Sequence, residues 1–115
     1  MLILNGKKYI MNVKVCKTLF SQARGLMFSK SLGKDQCLFF EFNNEQSRAL
    51  HMLFVFFSID MIILDKSFHV VEIIPNVRPF RIYIMPKKPF KYLIEAKKGR
   101  ASEVKIGDMI KFKYQ

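Results

Sequence analysis

Residues 50 to 64 read LHMLFVFFSIDMIIL, the most apolar fifteen-residue run in the chain, interrupted by one histidine, one serine and one aspartate. A membrane-spanning helix needs about 20 apolar residues in succession. This run is shorter and carries a carboxylate, Asp60, near its end. Its β-branched and aromatic residues favour pleated strand over helix. It is therefore read as two core strands, Ala49 to Phe56 and Ile59 to Leu64, meeting near Ser58. On the second strand Asp60 shares a face with Ile62 and Leu64, while Ile59, Met61 and Ile63 take the other.

Working outward, Asn5-Gly6 between two apolar stretches signals a hairpin, because both residues tolerate positive φ. Its arms are expected at Met1 to Leu4 and Tyr9 to Val15. Thr18 opens a two-turn helix, LFSQAR, closed by Gly25 and anchored by Leu19 and Phe20. Cys37 to Phe42 reads as a strand and residues 43–47 as an exposed loop. Asp65-Lys66-Ser67 is a tight turn leading into a strand from His69 to Ile74, and Pro75 and Pro79 bracket a connection. Arg81 to Met85, Phe90 to Glu95 and Met109 to Tyr114 complete the set. Eight or nine short strands and one short helix predict a mostly β fold, a small barrel or sandwich spanning 1–115 as a single domain.

The composition agrees with a packed interior: half of the 115 residues are hydrophobic, with twelve Phe and four Tyr. The net charge of +11 invites an anionic partner, nucleic acid or a phosphorylated ligand above all. Cys16 and Cys37 lack any C-x-x-C pairing and are read as reduced core thiols. The N-terminus turns polar after four apolar residues, without the h-region of a secretory signal, and no transmembrane segment is found, so a cytoplasmic protein is expected. Oligomeric state is not legible.

Three residues are candidates for chemistry. Asp60 is either a strand-entry residue that satisfies backbone N–H groups or a functional carboxylate. The planar guanidinium of Arg24 suits a bidentate partner, with Asp60 or Glu95 as the expected internal one. His51 and His69 are read as hydrogen-bonded core residues, with no metal site or cofactor assigned. No nucleophile triad or phosphate-cradling glycine loop can be assembled. The strongest surface signal lies between Arg78 and Arg100. There Arg78, Arg81, Lys87, Lys88, Lys91, Lys97, Lys98 and Arg100 face a single acid, Glu95, with Phe80, Tyr83, Phe90 and Tyr92 interleaved. Basic groups beside aromatics suit phosphate neutralisation and base stacking. The leading expectation is a non-enzymatic binding or interaction module using this basic face. The alternatives are a nucleic-acid-binding module and an enzyme built around Asp60, Arg24 and His51.

Several segments together resemble the family called domain of unknown function 192 (uncharacterised protein family 0127), in its archaeal form. They are ARGLM at 23–27, HMLFVFFSID at 51–60, IILD at 62–65, VVEI at 70–73, RPFR at 78–81, YLIEA at 92–96 and IGD at 106–108. Many bacterial members look like Trp-Met-Lys-Asn-Thr followed by Pro-Leu-Asp. This chain keeps the Asp but has an apolar run ahead of it. The resemblance implies a compact β-rich fold and lends no activity.

Overall fold

The strand Ile59–Leu64 forms where its sequence places it, and all six of its residues are buried. The computed structural model describes residues 1–114, with the Phe20 side chain outside the described set. Its strands are β1 (Leu2–Leu4), β2 (Lys7–Ile10), β3 (Asn12–Cys16), β4 (Gln36–Gln46), β5 (Ile59–Leu64), β6 (Val70–Val77), β7 (Phe90–Lys97) and β8 (Ile110–Phe112), with one helix, α1 (Leu19–Arg24). They make two sheets, one ordered β2-β1-β8 and the other β3-β4-β7-β5-β6. Only β3 and β4 run parallel. Neither sheet closes on itself, so of barrel and sandwich the arrangement is the sandwich-like one.

Both faces of the larger sheet are covered, by different means. On one face Ile62, Leu64, Ile94 and Ala96 pack with Leu2, Ile10 and Ile110 of the smaller sheet. On the other, Met61, Ile63, Leu93 and Phe40 pack with Leu26, Met52, Val55 and Ile84 from irregular segments. This second cover explains why the first half of the apolar run is no strand. Leu50 makes a single bridge to Ile84, and the chain then turns, with Val55 N–H donating to Met52 C=O at 3.1 Å and Phe54 at φ 56°. Met52 and Val55 point inward while Leu53, Phe54 and Phe56 are exposed. That three-residue spacing serves a folded-over loop and not a period-two ladder. The expected strand Arg81 to Met85 likewise reduces to its bridge at Ile84.

Other expectations need correcting at their ends. The stretch Tyr9 to Val15 breaks at Met11, so that β2 and β3 serve different sheets. Residues 43–46 extend β4, with Gln46 opposite Phe90. Pro75 lies inside β6, which tolerates it because β6 is an edge strand. Leu19 does not anchor α1, being 85% exposed, and the expected anchoring by Phe20 falls on a side chain outside the described residues. The helix starts on a reciprocal cap, Ser21 N–H to Thr18 Oγ1 at 3.0 Å and Thr18 N–H to Ser21 Oγ at 3.1 Å. Asn5 (φ 48°) and Gly6 (φ 87°) form the β1–β2 turn, and Asp65 Oδ1 closes the β5–β6 turn by accepting from Ser67 and His69 N–H.

Asp60, 2% exposed, ties three segments together. Between the pairs Ile59–Val77 and Met61–Ile74, two residues of β6, Pro75 and Asn76, stand opposite it. This is a β-bulge. Asp60 Oδ1 accepts from Asn76 N–H at 2.9 Å, and Oδ2 accepts from Gly99 and Ala101 N–H, each at 2.9 Å. The last two open the 3-10 turn Arg100–Glu103 after β7. Asp60→Ala should cost about 3–5 kcal/mol, since it strands buried donors, and Asp60→Asn should cost less because one oxygen remains. Urea unfolding measures both. A loss below about 1 kcal/mol for the alanine variant would contradict this role.

Candidate functional site

Alternation along the central strands places the two buried side-chain carboxyl groups among the described residues, Asp60 and Glu95, on opposite faces of the larger sheet. Asp60 lies on the face covered by the smaller sheet. Glu95 pairs with Leu38 and Met61 across its strand neighbours and points to the other face, into a cavity of about 280 Å³. The floor of this cavity is Phe40, Leu93 and Glu95; its walls come from Leu26 after α1 and from Val55 in the 50–57 loop. Arg24 and His51 also line it. Two of the three sequence candidates therefore meet here, and Asp60 does not join them. No ion pair links Arg24 to Asp60 or to Glu95 among the described residues.

The polar groups around the cavity divide into committed and uncommitted sets. Gln22 Nε2 donates to Glu41 C=O at 2.7 Å and Cys16 C=O at 3.2 Å. Arg48 lies over the Phe42 ring at 3.9 Å and donates to Phe90 C=O at 3.3 Å. His51 Nδ1 accepts from Leu53 N–H at 3.2 Å, so a neutral ring carries its proton on Nε2. Glu95 makes no hydrogen bond or ion pair among the described residues, although it is only 6% exposed. Burial pushes its carboxyl from the ordinary 4.5 up to about 8, so it is mainly protonated at neutral pH. Gly25, at φ 46°, brings the backbone past this group: a Cβ there would lie 3.7 Å from Glu95 Oε1 and 3.4 Å from the Phe40 ring.

The basic segment is split by the length of β7. Lys87 and Lys88 precede it and Lys97 and Lys98 end it, on either side of a strand about 23 Å long at 3.3 Å per residue. Lys91 lies between them, its Nζ 5.5 Å from the Tyr92 ring. Arg100 is engaged internally, donating to Tyr9 C=O and to Glu103 Oε2 and lying 4.8 Å from the Tyr9 ring centroid. Of the interleaved aromatics, Phe90 and Tyr92 are core residues, whereas Phe80 and Tyr83 are exposed. The register puts Val77, Ile59 and Lys97 side by side. Arg78, Lys97 and Lys98 thus share the sheet end from which Phe56 enters β5 and Phe80 leaves β6. At this end four exposed rings run in contact, Phe28 to Phe54 at 5.0 Å, Phe54 to Phe80 at 6.1 Å and Phe80 to Phe56 at 5.1 Å. Three of them sit at positive φ, Phe28 at 64°, Phe54 at 56° and Phe80 at 62°.

A family model described as Uncharacterized ACR, domain of unknown function 192, matches residues 2–112. The chain belongs to this family. It is 36% identical over 104 residues to a UPF0127 protein of Pyrococcus horikoshii, covering 87% of this chain and 86% of that one. A UPF0127 protein of Thermococcus sibiricus is 35% identical over 107 residues, covering 91% of this chain and 68% of that one. The fold is also that of a crystal structure of a protein of unknown function from Novosphingobium aromaticivorans. Its TM-score is 0.89 at 22% identity, over 96% of this chain and 83% of that one.

Within this family member, three of the segments that carry the resemblance converge on the cavity: ARGLM supplies Arg24, Gly25, Leu26 and Met27, HMLFVFFSID supplies His51 and Val55, and YLIEA supplies Leu93 and Glu95. In the sequence Glu95 stands out only as a partner for Arg24. Its strand alternation with Leu93, an apolar core position, was the available signal that it points inward. The four-ring cluster had no such signal, because its members come from three separate loops.

Glu95 carries a stability consequence. In the unfolded chain it ionises near 4.5, whereas in the fold it keeps its proton to about 8. Between these values the unfolded state binds fewer protons, so this group's contribution to stability falls as pH rises. Glu95→Gln should therefore gain on the wild type as pH goes from about 5 to about 9, by on the order of a few kcal/mol. Urea unfolding at several pH values reads the difference, and a pH-independent gap would rule the shift out.

Proposed function

We propose that this chain is a non-enzymatic binding module, and that the aromatic and basic end of its larger sheet takes single-stranded nucleic acid. The observation that supports this reading is that four exposed phenylalanines, in contact one after the next, stand at the same end of one sheet as Arg78, Lys97 and Lys98. Arg81 follows Phe80 directly, and the fold ties it to the same loop, with Met52 N–H donating to Arg81 C=O at 2.6 Å. Exposed rings offer stacking surfaces to any base, and the adjacent cations neutralise phosphates. Glu95, the one acid between Arg78 and Arg100, is buried and so does not oppose them at the surface. A phosphorylated small ligand would engage the cations but leave the rings unused. The enzyme reading loses support from the geometry, since Asp60 is occupied by three backbone N–H groups on the face away from Arg24 and His51.

Fluorescence anisotropy with a labelled oligothymidine tests the reading. Affinity should fall linearly with salt on logarithmic axes, and each phosphate-contacting cation replaced by Ala should reduce the slope by about 0.7. Phe54→Ser combined with Phe80→Ser should weaken binding at least about tenfold at fixed salt while leaving the slope unchanged. Absence of binding at low ionic strength would end the proposal. Binding to anionic phospholipid vesicles in place of the oligonucleotide would reassign the surface to membranes.

A further inference from the structure

The cavity on the opposite face of the larger sheet from Asp60 holds three polar groups without a hydrogen-bond or ion-pair partner among the described residues: the buried Glu95 carboxyl at its floor and, on exposed residues at its rim, the Arg24 guanidinium and His51 Nε2. A buried polar group without a partner is costly, and native structures rarely retain one without a reason. Gly25, at φ 46°, carries the backbone close to this group, so that a Cβ there would lie 3.7 Å from Glu95 Oε1, yet no hydrogen bond to Glu95 forms among the described residues. The two neighbours that could have satisfied it, Gln22 and Arg48, are bonded elsewhere. Their arrangement holds the cavity walls in place and leaves its floor open.

We infer that this cavity is a binding site for a small organic carboxylate with a short apolar body. Glu95, His51 and Arg24 would all act as donors to the carboxylate oxygens, and Phe40, Leu93 and Val55 would enclose the apolar part. Size supports a small ligand, since about 280 Å³ falls just below the range of drug-sized sites. Electrostatics supports an anion. The charged and titratable groups facing Glu95 are Arg24 after α1, Arg48 and His51 from the covering loop, and the Cys16 thiol of β3; the nearby β4 and β5 residues Leu38 and Met61 are apolar. No second carboxylate stands among them. Glu95 is held in its protonated form by burial, which makes it a donor at neutral pH and an unfavourable neighbour for an anion once it ionises. The site is separate from the aromatic end proposed above for nucleic acid and does not depend on that reading.

Isothermal titration of the full chain with benzoate, benzamide and benzylamine tests the inference, because the three share a ring and differ in the charge of the head group. Benzoate should bind at neutral pH, benzylamine should not, and benzamide should bind more weakly than benzoate. Arg24→Ala should weaken benzoate at least about tenfold. Glu95→Leu should lose benzoate binding while remaining folded, and Glu95→Gln, which keeps a donor, should retain it. Raising the pH from about 7 to about 9 should weaken benzoate in the wild type but not in Glu95→Gln, which assigns the effect to Glu95. Binding of benzylamine in preference to benzoate, equal benzoate affinity in Glu95→Leu, or no binding of benzoate at millimolar concentration would each overturn it.

Discussion

Where β6 bulges at Pro75 and Asn76, the ladder to β5 leaves one amide without an acceptor, and Asp60 supplies it. The same carboxylate takes the N–H groups of Gly99 and Ala101 at the exit of β7. One of these points lies on β6 and two lie in the turn that follows β7, so a single side chain ties together the segments at one end of β5 and its two flanking strands. Burying a carboxylate is tolerable only when donors converge on it, and here the donors are backbone groups that would otherwise be unsatisfied.

The two faces of the sheet handle a buried acid in opposite ways. Asp60 faces the smaller sheet and accepts three backbone hydrogen bonds, while Glu95 faces the loop-covered side and has no hydrogen-bond or ion-pair partner among the described residues. The difference follows from what covers each face. A bulge and a 3-10 turn carry free backbone N–H groups, which they aim at Asp60. The irregular cover on the far side spends its donors on itself, with Gln22 on backbone carbonyls and His51 accepting from Leu53 N–H. A cavity with an unsatisfied floor is the outcome.

Three of the four phenylalanines at positive φ lie in the same loops. A bulky residue at φ above zero is uncommon and costs on the order of 1–3 kcal/mol, yet Phe28, Phe54 and Phe80 all adopt it and meet at one exposed cluster. Two of the three lie in segments tied together across the cavity side, Met52 N–H donating to Arg81 C=O and Phe80 N–H to Met52 C=O. Those backbone bonds, together with the burial of Met52 and Val55, hold the rings outward where solvent alone would not favour them.

Strand β5, the Asn-Gly hairpin, the capped helix and the Asp65 turn were all legible in the sequence, because each depends on contacts within a few residues: side-chain period, a turn dipeptide, a cap. The placement of Asp60 on the face of Ile62 and Leu64 was legible for the same reason. The fate of residues 49–56 was not. That stretch is apolar enough for a strand, but a strand needs a neighbouring edge to pair with, and whether one exists is set by distant segments. The partner of Asp60, the isolation of Glu95 and the gathering of four phenylalanines were likewise decided only in three dimensions, since each joins residues far apart in the chain. Local pattern determines which residues turn inward; which donors await them there depends on how the rest of the chain crosses that face.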